Sequence, residues 1–424
     1  MLKCCKEKVF FLLVYMIAPL SIFGADIMLS GYGSIAGVYQ ENKNILYRTS
    51  TNTGKGSQGN ISFATDSILG LQLDIKATEK LSFIFQGILS ENNGNNKLFS
   101  LESANVKYQF NDSFDIHIGK MQMPAYMFSD VVNIAYTYNS IRLPDMYYTI
   151  PFRSYIGTEV NYAFNYEKFS IEGKLFYGED SRKFQIEVKN KGFMPSKVKN
   201  NGFMTSNMDA DNIFGLTLGV SSKNLKLRFA YTHFDFTIEN ELLSTSMYYF
   251  RSLGISAITE AASKYALEKT PLNYLALGFE YDFEDAYILG EYIELDSDSF
   301  KADTTSWYLS AGYRFDDLIA FATFSKTTSS SNYKEIDISS QMPTQLVDAI
   351  STANNVFSKL SNAAAPTQDT ISVGARYELM ENISLKVQYD HIKKFKPASK
   401  VDLHFNNQKQ PTLHVFSAAI NFIF

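Results

Sequence analysis

Taken two residues at a time, the chain alternates between apolar and polar side chains in one segment after another. Between positions 383 and 390, Ile383, Leu385, Val387 and Tyr389 fall on one side, and Ser384, Lys386, Gln388 and Asp390 on the other. Successive side chains of an extended strand point to opposite faces, so this segment has one greasy face and one wet face. Leu69, Leu71, Leu73 and Ile75 alternate with Gly70, Gln72, Asp74 and Lys76; Leu225, Leu227, Phe229 and Tyr231 alternate with Lys226, Arg228 and Thr232; Phe114, Ile116 and Ile118 alternate with Asp115 and His117. The pattern predicts sixteen strands, at 27–39, 66–77, 80–90, 98–110, 113–119, 155–166, 168–178, 212–222, 224–236, 272–283, 285–295, 304–315, 317–326, 369–379, 382–393 and 412–424.

A soluble sandwich would alternate too, but the connections here are unequal in a regular way. Short turns such as 77–79, Asn111-Asp112, Tyr166-Glu167, Ser222-Lys223, Glu284-Asp285, Asp316-Asp317 and Glu381-Asn382 alternate with connections that are mostly much longer and more polar. Short turns at one end and long loops at the other are the signature of a transmembrane β-barrel. Such a sheet must close, because an edge facing lipid would leave backbone N–H and C=O groups without partners, at several kcal/mol each. The first strand is therefore expected to pair with the last, and the even strand number agrees with closure. The expected fold is an all-β, closed antiparallel transmembrane barrel.

Composition narrows this further. No apolar run after Ala25 is long enough for a membrane helix, and the mean hydropathy is −0.14, yet 34 Phe and 27 Tyr stand beside one Trp and 20% charged residues. A barrel uses aromatics at both membrane interfaces and apolar groups on its outer face. Trp307, near the outer end of its strand, fits such a girdle. The net charge of −5 argues against a nucleic-acid partner, which needs a basic field.

Residues 1–25 read as a secretory signal. Lys3, Lys6 and Lys8 precede a nearly unbroken apolar run, and Gly24-Ala25 follows. The barrel domain is then 26–424. Cys4 and Cys5 would leave with the signal, so the mature chain has no disulfide, thiol chemistry or cysteine-bound metal. The five histidines, His117, His233, His391, His404 and His414, include no pair at metal-ligand spacing in sequence. Asp390-His391 point to opposite faces of one strand and Asp316-Asp317 sit in a short turn, so no catalytic, cofactor or metal site is expected.

Four further stretches stand out. Ile255, Ile258, Ala262 and Tyr265 recur at helical spacing, as do Leu346, Ile350, Ala353, Phe357 and Leu360, which predicts helices within two long loops. The loop 41–65 is polar and rich in Gly, Ser and Asn, and is expected to be mobile. The loop 180–211 holds a short near-repeat, Lys191–Met194 and Asn201–Met204, to which no function is attached.

The connection 120–154, the third long one, is the most informative. It starts from Gly119-Lys120, runs through Pro124-Ala125-Tyr126-Met127 and Ser129-Asp130, and continues with Tyr136, Tyr138, Arg142, Pro144, Tyr147 and Pro151. A loop in free water favours Gly, Ser, Asn and charges; this one is built from Met, Tyr, Phe and Pro, so it should pack against something. The stretch resembles the corresponding region of Gram-negative, proteobacterial porins. It departs from them in having Asn139-Ser140-Ile141 before Arg142 and a single Pro144 after it. The terminal strand, with Phe416, Ala418, Ile420, Phe422 and Phe424 on one face, resembles the signal by which outer-membrane barrels engage their assembly machinery.

The resemblance implies a water-filled channel for ions and small polar solutes in the outer membrane of a Gram-negative bacterium, a homotrimer in contact with lipid and lipopolysaccharide. It implies a constriction loop folded into the lumen. Candidate constriction residues are Asp130, Arg142, Asp145 and Arg153 on the loop, facing Lys107, Lys174, Arg228 and Lys386 on the wall. Opposed charges across a narrow pore would set a transverse field. A surface adhesin or receptor that binds ligands through its long loops is the alternative. A plugged, energy-coupled receptor is disfavoured, because the strand pattern begins at Ile27.

Overall fold

The computed structural model describes residues 25–43, 45–49, 56–91, 99–148, 152–188, 202–239, 241–264, 268–297, 303–330, 333–338, 342–363, 367–396 and 412–424. All of the proposed signal 1–25 except Ala25, together with Lys191–Met194, Asn201, Tyr265 and His404, lies outside these.

The described residues form seventeen strands: β1 (Asp26–Gln40), β2 (Ile61–Ser62), β3 (Ile68–Lys76), β4 (Leu81–Ser90), β5 (Phe99–Asn111), β6 (Phe114–Gln122), β7 (Ser154–Tyr166), β8 (Phe169–Val188), β9 (Gly202–Ser221), β10 (Leu225–Glu239), β11 (Thr270–Asp282), β12 (Ala286–Ser297), β13 (Asp303–Phe315), β14 (Leu318–Ser330), β15 (Thr367–Met380), β16 (Ile383–Lys396) and β17 (Leu413–Ile423). β2 is a two-residue stub against β1, and the other sixteen form one closed antiparallel barrel. Consecutive strands pair throughout, and β1 closes the ring on β17, with Tyr32 opposite Ile423 and Gln40 opposite Val415. The closing seam is tightened by glycine: the Phe424 and Phe422 rings lie where a Cβ on Gly31 or Gly33 would be, 2.2 and 2.4 Å from the nearest ring carbon. Gly31 and Phe424 also exchange two backbone hydrogen bonds of 2.8 and 2.9 Å.

The outer face is the apolar one. Val387 is 56% exposed, Phe416 51% and Phe424 60%, and Leu71, Ile118, Leu175, Leu277 and Ile371 are exposed on other strands. At the ends bordering the short turns, same-face aromatic pairs pack edge-on or tilted along their strands: Tyr108 with Phe110, Tyr162 with Phe164, Tyr281 with Phe283 and Tyr313 with Phe315, at 4.6 to 5.7 Å between centroids. They form one aromatic girdle. Trp307 faces outward against Phe324. Glu167, Glu284 and Asp316 adopt positive φ of 52°, 77° and 51°, the left-handed conformation that tight hairpin turns demand.

Two expectations about the long loops change, and a third is extended. β8 and β9 run well past the predicted 168–178 and 212–222, pairing as far as Val188 opposite Gly202, so much of 180–211 is a projecting hairpin. A register shift after Gly178 breaks the alternation there and hid the continuation. The described part of 41–65 is tucked in: Ile45 and Tyr47 are buried, and the Gln40 amide donates to the carbonyls of Asn42, Ile45 and Ser57. Both predicted helices form, at Ser256–Lys264 and Thr344–Ala363, joined by an unforeseen one at Glu241–Ser252. They share one apolar cluster, with Met247, Phe250 and Ile258 against Ile350, Ala353 and Phe357. This is where the greasy sides of the two loop helices are buried.

Candidate functional site

The connection between β6 and β7 enters the barrel. Its first half carries Met121, Met123, Ala125 and Tyr126, which join Phe234, Leu272, Tyr274, Ile293 and Tyr308 from the wall in one buried cluster. The inward positions Phe234, Phe236, Leu272, Tyr274, Ile293, Leu295 and Tyr308 on β10 to β13 are thus apolar where they meet the loop. A single carboxylate interrupts that surface: Glu291 accepts the Met127 N–H at 2.7 Å and the Tyr147 hydroxyl at 2.5 Å. Burial, then the Glu291 charge, pushes the Tyr147 hydroxyl well above its ordinary range, so it stays a donor. Opposite, a Cβ on Gly278 would lie 3.2 Å from the Met127 sulfur, and its absence lets the loop lie close to the wall.

The second half is held by polar groups on the far wall. Lys386 is 2% exposed; its ammonium donates to the carbonyls of Ala135 at 2.5 Å, Ser140 at 3.0 Å and Tyr138. These carbonyls flank the 3-10 turn Ala135–Thr137, and a lysine has three donors for them. Two residues on, Gln388 accepts the Ile141 N–H at 2.7 Å and donates to Asp390 at 2.7 Å. Arg142, 6% exposed, donates to Asp66 at 2.6 and 3.0 Å, to the Ser417 hydroxyl at 2.5 Å and to Asp390. Burial opposes its charge, but the Asp66 and Asp390 carboxylates outweigh it and keep the guanidinium protonated. Arg376 donates to the Tyr136 carbonyl at 2.6 Å, and its guanidinium lies 4.6 Å from the Tyr136 ring centre.

The loop therefore lies along β10 to β17 and reaches past the closing seam to Ala36 of β1 and to Asp66. Across the lumen, β5 to β8 carry a continuous polar ladder. Lys107 meets Asp115 at 2.9 Å, His117 reaches Asn105 at 3.1 Å and Asp115 at 3.2 Å, and Asn161 donates to Asp115 at 2.8 Å and Glu159 at 3.1 Å. Lys174 meets Glu159 at 3.1 Å.

The eight candidate residues do not form one set. Arg142 and Lys386 are buried anchors of the loop, not charges facing the pore. Arg228 is half-buried under the loop and donates to the Pro124 carbonyl at 3.1 Å. Asp145 is half-buried and accepts from Thr370 at 3.3 Å; Arg153 is half-buried, and its carbonyl accepts the Met123 N–H at 2.9 Å. Lys107 and Lys174 share the open wall, each against a carboxylate. Asp130 is exposed on the 3-10 turn Ser129–Val131. Sequence reasoning missed Asp66, Glu291, Arg376, Gln388, Asp390 and Ser417 as loop receptors. Glu291 had a readable signal, a lone charge among the apolar inward positions Tyr287, Leu289, Ile293 and Leu295. Asp66 and Ser417 had none.

A closed barrel with an apolar exterior, a polar ladder inside and a loop inserted across its lumen defines a membrane-spanning pore. The chain belongs to the Gram-negative porins: the sequence model of that family matches residues 21–396. No curated protein matches it by direct sequence comparison. Among solved structures it is similar to the loop L8 deletion mutant of OmpT, an outer membrane protein of Vibrio cholerae, at 11% identity and a TM-score of 0.51, covering 94% of this chain and 99% of that one. It is also similar to an anion-selective porin from Comamonas acidovorans, at 13% identity and a TM-score of 0.50, covering 94% of this chain and all (100%) of the other. The protein is an outer-membrane diffusion channel.

Proposed function

We propose that ions and small polar solutes cross between the edge of the inserted loop that carries Asp130 and the charged ladder of β5 to β8. The observation that carries this is the one-sided docking of the loop. Its contacts fall on β10 to β17 and continue onto Ala36 of β1 and Asp66, which leaves Lys107, Asp115, His117 and Lys174 part-exposed on the remaining wall, with Glu159 buried beneath them. A solute there meets both signs of charge in alternation, suited to hydrated ions and dipolar solutes. Passage is passive, with no catalytic step. The surface-receptor alternative is not favoured.

The same reading assigns residues 1–25 to a cleaved export signal and Phe424 to recognition by the barrel-assembly machinery. It places lipid and lipopolysaccharide against the apolar exterior and makes the working unit a homotrimer. Purified protein in planar lipid bilayers should give stepwise conductance in multiples of three, and liposomes should swell in small sugars but not large ones. Folded protein that conducts nothing would overturn the channel path, and single independent steps would overturn the trimer alone.

A further inference from the structure

The barrel brings together two histidines that lie 23 residues apart in sequence. His391 of β16 stands directly opposite His414 of β17. Both sit on the outer face, in the row just beyond Tyr389 and Phe416, which are partners in the same ladder. Their rings are 4.8 Å apart, and their Nδ1 atoms face each other at 3.4 Å. The Tyr389 hydroxyl lies 2.6 Å from His414 Nδ1. Two imidazole nitrogens bound to one tetrahedral ion at about 2.0–2.1 Å would themselves be about 3.4 Å apart. The spacing already present is that of two ligands on a shared metal, and neither side chain must change register to reach it.

We propose that Nδ1 of His391 and Nδ1 of His414 form a binding site for a late first-row divalent ion on the outer rim of the barrel, the Tyr389 hydroxyl giving up its hydrogen bond to His414 Nδ1 when the ion binds. Imidazole donors favour Cu²⁺ and Zn²⁺ over Mg²⁺ and Ca²⁺, which take oxygen ligands. Both rings are part-exposed, and His414 is the second residue of β17, next to the long connection, so an ion can arrive from the long-loop end of the barrel. The next charged pair on that face, Lys393 opposite Asp369, is of opposite sign and adds little net repulsion. The remaining coordination positions are open to water. A bound ion would clamp β16 to β17 beside the closing seam without touching the pore.

The test is Cu²⁺ titration of untagged, folded protein in detergent, followed by electron paramagnetic resonance with detection of nitrogen couplings. One equivalent should bind with two equivalent imidazole nitrogens, and Zn²⁺ should compete for it. His391→Ala or His414→Ala should each leave one nitrogen and weaken binding by roughly tenfold or more, because the second imidazole is held at high effective concentration. Conductance should be unchanged in both variants, and heat-modifiable gel migration checks that the barrels are folded. Wild type that binds no more tightly than protein carrying both His391→Ala and His414→Ala, or that shows a single nitrogen, overturns the site.

Discussion

The Lys386 ammonium lies 2.5 Å from the carbonyl oxygen of Ala135, a residue 251 positions away in the chain and on the opposite side of the barrel's strand order. This contact fixes the far end of the inserted loop. Replacing Lys386 by Met keeps the stem and removes the donors, leaving three buried carbonyls short of a partner at about 1–3 kcal/mol each. The loop should then detach from β16, and single-channel recordings should show larger and noisier conductance. Val387→Ala, one residue away on the outer face, should leave the recordings unchanged.

Arg142 holds two carboxylates at once. In Arg142→Met, Asp66 and Asp390 remain as unpaired buried charges, and loss of one partner of a buried pair costs about 3–5 kcal/mol. Limited proteolysis of the folded barrel should then cut within 120–154, which wild type should resist. Adding Asp66→Asn and Asp390→Asn to Arg142→Met should restore part of the resistance, because the stranded charges are gone. If the triple variant is cut faster than the single one, the paired charges are not what holds the loop.

Ion preference should follow the charges left facing water. Asp130→Asn should shift the reversal potential in a salt gradient toward anions. Lys107→Glu with Lys174→Glu should shift it toward cations. One unit charge about 10 Å from the ion path in water is worth about 0.4 kcal/mol, roughly a factor of two in permeability ratio. The shifts should be largest near 0.1 M salt and shrink toward 1 M, where the screening length falls to about 3 Å.

At the seam, Gly33→Leu would drive a side chain into the Phe422 ring. Overpacking of this kind costs about 1–3 kcal/mol. The variant should unfold at a lower temperature, read as the point at which the band shifts in a gel after stepwise heating. Deleting Phe424 should lower the amount of folded barrel recovered from outer membranes, beyond the loss of its two hydrogen bonds to Gly31.

The helices of the outer loops were legible where apolar residues recur at helical spacing, as in Leu346, Ile350, Ala353 and Phe357. The helix Glu241–Ser252 was not, because its buried residues Met247 and Phe250 lie among exposed Tyr248 and Tyr249. The histidine pair was hidden for another reason: residues opposite each other on antiparallel strands have a sequence separation set by the connection between them, which carries no recognisable spacing.

Alternation along the chain by itself determined the strands, their apolar outer face, the unequal two ends and the need for closure. Each of those follows from a local period of two and from the cost of an unpaired backbone in lipid. It also marked 120–154 as a loop that must be buried. Only the tertiary structure decided what the polar faces of the strands would meet. Ser384, Lys386, Gln388 and Asp390 form a wet face by pattern, yet three of them bind the loop and not the water of the pore, while Lys107 and Lys174 are paired with carboxylates on neighbouring strands. A polar side chain signals in sequence that it needs a partner. Whether that partner is water, a carbonyl or an opposite charge depends on which distant segment shares the lumen with it.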